Sequence, residues 1–159
     1  MGVISNSLIH ALDGRNSHLP ASVVLEGLKP EIAGKYIEGS PYTIWQQIEH
    51  INFWQERYIG HIKGQTLPKI SDLEEGWPGE DAPSGKAELD AAISSLAAGI
   101  AEVRTMLSRG AEIKYPSNYN SGYDVITSMA MHLSYHLGQI MIMRRILGDY
   151  PPPSGGYTW

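Results

Sequence analysis

Cysteine is absent from the chain. That single absence excludes disulfides, a thiolate metal site, a CxxC redox pair and a cysteine nucleophile together. Positive charge is also sparse: 12 Lys and Arg stand against 17 Asp and Glu, a formal charge of −5, and the basic residues are scattered. A nucleic-acid partner read through its phosphates needs a clustered basic surface, and the sequence writes none. No apolar run approaches the ~20 residues of a membrane span. The opening MGVISNSLIHALDG lacks the basic n-region and apolar core of a signal peptide, and Asn6 stands where a myristoylation motif wants Ser or Thr. The expectation is a cytoplasmic protein with neither membrane nor nucleic acid as partner. Internal repeats, strand-like alternation and the GxGxxG, P-loop, GxSxG and HExxH signatures are missing as well.

What is present is helical periodicity. A length of 159 residues, 42% hydrophobic and 18% charged, predicts one globular domain over residues 1–159 that needs no covalent staple. Val3, Ile4, Leu8 and Leu12 keep helical spacing until Asp13-Gly14 breaks it. Pro20 opens a second short piece holding Val24, Leu25 and Leu28 and ended by Lys29-Pro30, after which residues 31–39 read as a glycine-punctuated connector. Ser40-Pro41 predicts the start of a helix that runs to about Lys63, with Ile44, Ile48, Ile51, Gln55, Tyr58 and Ile62 as its seam.

Residues 64–83 carry no periodicity. Loops of about twenty residues are usually functional or mobile, and Trp77 either tucks over a pocket or pins a solvated crossover. Ser84 then predicts the cap of a helix to about Arg109, a scaffold element seamed by Leu89, Ile93, Leu96, Ile100, Val103 and Leu107. Ser121, with Asp124 as a short version of the capping box, starts the last helix, which Gly148 ends. The remaining PPPSGGYTW is too rich in Pro and Gly to be regular.

That last helix carries the chemistry. Val125, Met129, His132, His136, Ile140, Met143 and Leu147 fall within about 80° of one another around its axis, so two imidazoles point where a core should be. His132 and His136 are four residues apart, one turn above each other, the spacing that lets two ring nitrogens reach one metal ion. Two core histidines satisfied by hydrogen bonds are the alternative, and from the pair alone both readings stand. A third ligand has to come from elsewhere. His50 lies at the edge of the 40–63 seam, roughly 100° from its centre, where a side chain can reach round to a neighbouring helix. His10 and His18 flank the Asp13-Gly14 break on no strong apolar face and read as surface or packing residues.

GKYIEGSPYTIWQQIEHINFWQ, followed downstream by MHLSYHLGQIMIMRRILGDYPP, resembles the DinB-like (YfiT-like) metal-binding four-helix bundles. The resemblance spans the three long helices, and its specific part is one His in the 40–63 helix, then an HxxxH pair followed by LGQ. It implies an all-α four-helix bundle with a long loop between the second and third helices. Carried over residue by residue, it implies His50, His132 and His136 as ligands to a divalent metal, nickel or zinc. It further implies a homodimer, and a metal-dependent enzyme acting on a small molecule. Some related proteins look like thiol-dependent S-transferases that use a low-molecular-weight thiol such as bacillithiol or mycothiol; others resemble hydrolases.

Three protein ligands leave a coordination position open, the arrangement of catalytic rather than structural sites. With no cysteine in the chain, a thiol bound there has to come from a small-molecule cosubstrate. Gln139, close to the histidine stripe, is placed to orient a ligand imidazole. Tyr135 and Trp54 read as cavity walls or packing, and Glu49 points about 100° away from His50, toward solvent. Metal-dependent hydrolysis, a non-catalytic metal-binding dimer with a stress or interaction role, and a metal-free module with packed histidines are the alternatives. A homodimer is also expected from the last helix itself, whose Ile126, Leu133, Leu137, Ile140 and Ile146 spread over more than one face.

Overall fold

The computed structural model describes residues 2–15 and 17–155; positions 156–159 of the predicted irregular tail lie outside the described residues. Every regular element among those described is helical: α1 Val3–Leu12, α2 Ala21–Val24, α3 Pro30–Ala33, α4 Ile44–Ile62, a 3₁₀ turn Leu73–Gly76, α5 Lys86–Arg109 and α6 Gly122–Ile146. None of these helices is long and apolar enough to cross a membrane.

Helix starts depart from the sequence expectation where a better cap lies nearby. Helix α4 begins at Ile44, not after Ser40, because Thr43 and Gln46 form a reciprocal capping box that satisfies two orphan amide donors at once. The Ser40 hydroxyl instead donates to the Tyr42 carbonyl. Pro30 does not merely end a segment: it opens α3, so the expected 31–39 connector starts as helix. Gly85, not Ser84, is the N-cap of α5, and the Ser84 backbone N–H donates to Glu88. Ser121 does cap α6, accepting from the Asp124 N–H, but the Asp124 carboxylate accepts both N–H groups of Asn120 rather than closing a box.

The polar contacts fix helix directions. Asn52 donates to the Ala92 carbonyl and Gln55 to that of Leu96, separations of 40 and 41 residues, so α4 and α5 run parallel. Across α6 the order reverses, with Gln47 facing His136 and His50 facing His132. Parallel neighbours cannot be joined by a tight turn. At 1.5 Å per residue α4 is roughly 28 Å long, and the segment from 63 to 85 has to return that distance. Its length follows from the topology.

Helix α4 lies between α5 and α6, and α1 packs against both of those. Two apolar clusters fill the interior. One joins Ile44, Ile48 and Ile51 to Leu89, Leu96, Leu133, Leu137 and Ile140, and the other joins Leu8, Leu12, Ile59 and Ile62 to Val103, Leu107, Val125 and Ile126. Ile126, Leu133, Leu137 and Ile140 are therefore buried by the chain itself. The apolar surface left on α6 is narrower than the sequence implied: Tyr123, Met131, Tyr135, Ile142 and Ile146. Arg144, also on α6, is only 2% exposed; it pairs with Asp149 at 2.7 Å and donates to the carbonyls of Val24 and Glu26, tying α6 to the end of α2.

Candidate metal centre

His50 is carried by α4, and His132 and His136 by α6 one turn apart. All three come together across the α4–α6 interface, with ring nitrogens within 4.8 Å of one another. His132 Nε2 lies 3.2 Å from His50 Nε2 and 3.1 Å from His136 Nε2. The opposite nitrogens are anchored. His50 Nδ1–H donates to the Gly76 carbonyl at 2.9 Å, and His136 Nδ1–H to Gln47 Oε1 at 2.5 Å. A carbonyl oxygen can only accept, so both rings carry their proton on Nδ1 and, when neutral, turn a bare Nε2 lone pair inward.

That arrangement fits a cation. A single N–H on His132 can satisfy only one of its two close nitrogen neighbours, leaving a second lone pair facing nothing it can bond. Around a tetrahedral ion with metal–nitrogen bonds of ~2.0–2.1 Å, ligand nitrogens stand roughly 3.3 Å apart, close to the spacing seen here. Neutral imidazoles without carboxylates suit borderline transition metals such as zinc, nickel or copper rather than magnesium or calcium.

Burial holds the rings neutral. Desolvation, then the neighbouring imidazoles of His136 and His50, push His132 down to about 3. Desolvation and His50 push His136 down to about 4, against an upward pull from Gln139. His50 is lowered by burial too, partly offset by its bond to Gly76. Tyr58, whose ring stands 6.2 Å from His132, is raised to about 12 by burial and stays a phenol.

A family model described as the DinB superfamily matches residues 22–140, most of the chain. The chain belongs to the DinB superfamily. No curated protein and no solved structure matches it. The span matched in this DinB-superfamily chain contains the three clustered histidines, Gln47 and the crossover, and stops short of the last turns of α6.

The crossover contributes more than the sequence could indicate. The Trp77 indole is sandwiched between Tyr42, 3.5 Å away with planes 6° apart, and His50, 3.7 Å away with planes 15° apart. Gly76 supplies the carbonyl on His50, and a Cβ at Gly76 would crowd the Trp54 and Phe53 rings, so a larger residue there would have to push the Trp54 indole aside. Trp77 thus both tucks over a pocket and pins the crossover. Gln47 makes the short hydrogen bond to His136 Nδ1, and Gln139 acts on the same ring through a side-chain hydrogen bond that pulls its pKa up. Sequence reasoning missed Gln47 although the signal was there: it sits three residues before His50, on the same side of α4.

Of the other residues singled out from the sequence, Trp54 stands 6.3 Å from the His50 and His132 rings. Tyr135 meets His136 edge-on at 5.0 Å. Glu49 lines a separate groove between α4 and α5. His10 contacts Arg15 and His18 the Leu19 carbonyl, both away from the cluster. A pocket of about 440 Å³ opens beside the centre, with His136 and Gln47 at its inner end and Tyr42, Trp77 and Tyr135 in its walls.

Proposed function

We propose that this DinB-superfamily protein is a four-helix bundle that holds one divalent metal ion, zinc or nickel, on His50, His132 and His136, and that the centre serves a reaction on a small molecule entering by the adjacent pocket. The observation that carries the reading is the pair of anchored Nδ1 groups: Gly76 and Gln47 fix two rings so that three Nε2 atoms converge. A bound ion supplies Lewis acidity and a position for one donor atom of the substrate. The chain's own residues do the rest. Gln47 and the Gly76 carbonyl hold ring orientation, Trp77 and Tyr42 cover the outer face of His50, and Tyr135 walls the approach to His136.

Thiol-dependent S-transfer ranks ahead of hydrolysis on the family resemblance alone; in a cysteine-free chain its thiolate would come from a cosubstrate. Metal analysis with titration of zinc and of nickel tests the centre, and His50→Ala, His132→Ala and His136→Ala test its ligands. Each variant is expected to stay helical and lose most metal. Wild-type protein that binds neither ion refutes the reading. Perturbation of a cobalt spectrum by added thiol, lost in His136→Ala, separates S-transfer from hydrolysis, for which turnover of esters or amides should rise with pH.

A further inference from the structure

The pocket beside the histidines is small, about 440 Å³, near the lower end of the range for small-molecule sites. Beyond His136 and Gln47 at its inner end, its outer wall is built by Ile37, Tyr135, Ile142, Met143 and Ile146. The lining contains no Lys or Arg. Its one side chain with a formal charge is Glu38, exposed at the rim. A carboxylate held at this outer wall, away from the histidine centre, would trade water for apolar carbons with no Lys or Arg beside it, a transfer that unpaired charges resist.

Met143 and Ile37 of this wall belong to the main apolar cluster or pack on it, and the other three residues are turned toward solvent. Ile142 and Ile146 are 58% and 62% exposed and Tyr135 64%, and spacings of seven and four residues put them on one face of α6. Apolar side chains left exposed around a concave site are the usual mark of a ligand wall. Two of them, Ile142 and Ile146, lie beyond the residues matched by the superfamily model.

We propose that the pocket selects an uncharged, largely apolar small molecule presenting a single Lewis-basic atom to the histidine centre, and that it discriminates against molecules carrying carboxylates. The Lewis-basic end rests on the metal reading above; the charge selection rests on the pocket alone. Among thiol cosubstrates, a neutral one fits this wall and a polycarboxylate one does not.

The test is fluorescence titration of the zinc-loaded and the metal-free protein with benzyl mercaptan and with 4-(mercaptomethyl)benzoate, which differ by one carboxylate. The neutral thiol is expected to bind the loaded protein at least about tenfold more tightly. Glu38→Lys should shrink that ratio to less than about threefold, and Ile142→Asp should weaken the neutral thiol about tenfold with zinc affinity unchanged. Ile142 is exposed, so the variant has no folding reason to fail. Equal affinities, or a preference for the carboxylate, overturn the proposal. Should zinc itself not bind, the metal reading falls while charge selection is still decided, by benzyl alcohol against 4-(hydroxymethyl)benzoate on the metal-free protein, read as quenching that Trp77→Phe removes. A neutral preference there upholds the selection, and its absence refutes it.

Discussion

Gln47→Leu removes the one acceptor on His136 Nδ1 while nearly conserving volume at a site only 4% exposed. Leaving a buried ring N–H without a partner costs about 1–3 kcal/mol. At 1.4 kcal/mol per tenfold, that is roughly 5- to 150-fold in affinity if the cost falls on the metal-bound geometry. Loss of a group that orients a ligand imidazole is known to cost about 10–100-fold, which overlaps that window. The assay is competition for zinc against a chromophoric chelator, with helicity followed by circular dichroism. Gln47→Glu keeps the acceptor and adds charge to it, so affinity should hold or rise. Gln139→Leu leaves the short Gln47 bond on His136 Nδ1 in place and should cost less affinity than Gln47→Leu. Native helicity in Gln47→Leu with zinc affinity within threefold of wild type refutes the argument, and so does a larger loss in Gln139→Leu than in Gln47→Leu.

Acid should unfold the metal-free protein early: with His132 near 3 and His136 near 4 in the folded state against 6.5 for the ordinary group, the unfolded chain binds protons the folded one refuses. Stability is thus fully present above about pH 6.5 and lost as pH falls through 6.5 to 3, and a urea midpoint that does not drop between pH 7.5 and 5 contradicts this. Arg144→Ala should cost about 3 kcal/mol by urea unfolding, the low end for a broken buried pair because Asp149 keeps 19% side-chain exposure; a loss under about 1 kcal/mol makes the clamp decorative. Gly99→Ala places a Cβ against the buried Gln55 amide, so it should destabilise by about 1–2 kcal/mol even though alanine favours helix by ~1 kcal/mol, and a stabilised variant refutes that packing. Trp77→Ala should weaken zinc binding by roughly 2- to 12-fold through loss of the His50 stack, with helicity unchanged and Trp77→Phe intermediate.

Much of the fold was legible because helices announce themselves by period. The seams of α4, α5 and α6 bury the residues the spacing selects: Ile44, Ile48, Ile51 and Ile62 on α4, and Leu89, Leu96, Val103 and Leu107 on α5. The starts were less legible, because several residues compete to cap one helix. Ser40-Pro41 is a valid signature, yet Thr43-x-x-Gln46 satisfies one more donor and prevails. The spread of apolar residues around α6 leads to the expectation of a second copy, and periodicity alone cannot tell which partner covers which face; Met131, Tyr135, Ile142 and Ile146 stay exposed. Here α1 and the α2 region cover much of that spread, and the buried Arg144 clamp holds α2 in place.

The histidines were legible for the same reason as the seams: an imidazole at core spacing stands out. What holds them was not. A backbone carbonyl has no letter in the sequence, and Gly76 serves His50 through its carbonyl. Topology brings it there. Because α4 and α5 run parallel, residues 63–85 must travel back along the molecule, and the path passes beside His50, where Trp77 docks between Tyr42 and the imidazole. Docking and coordination are then linked: the Gly76 bond selects the His50 tautomer that turns Nε2 inward, so an ion that requires that lone pair stabilises the docked crossover, and undocking weakens the ion's hold by the same free energy. A segment that looks like a spacer in the sequence is, by this linkage, part of the centre.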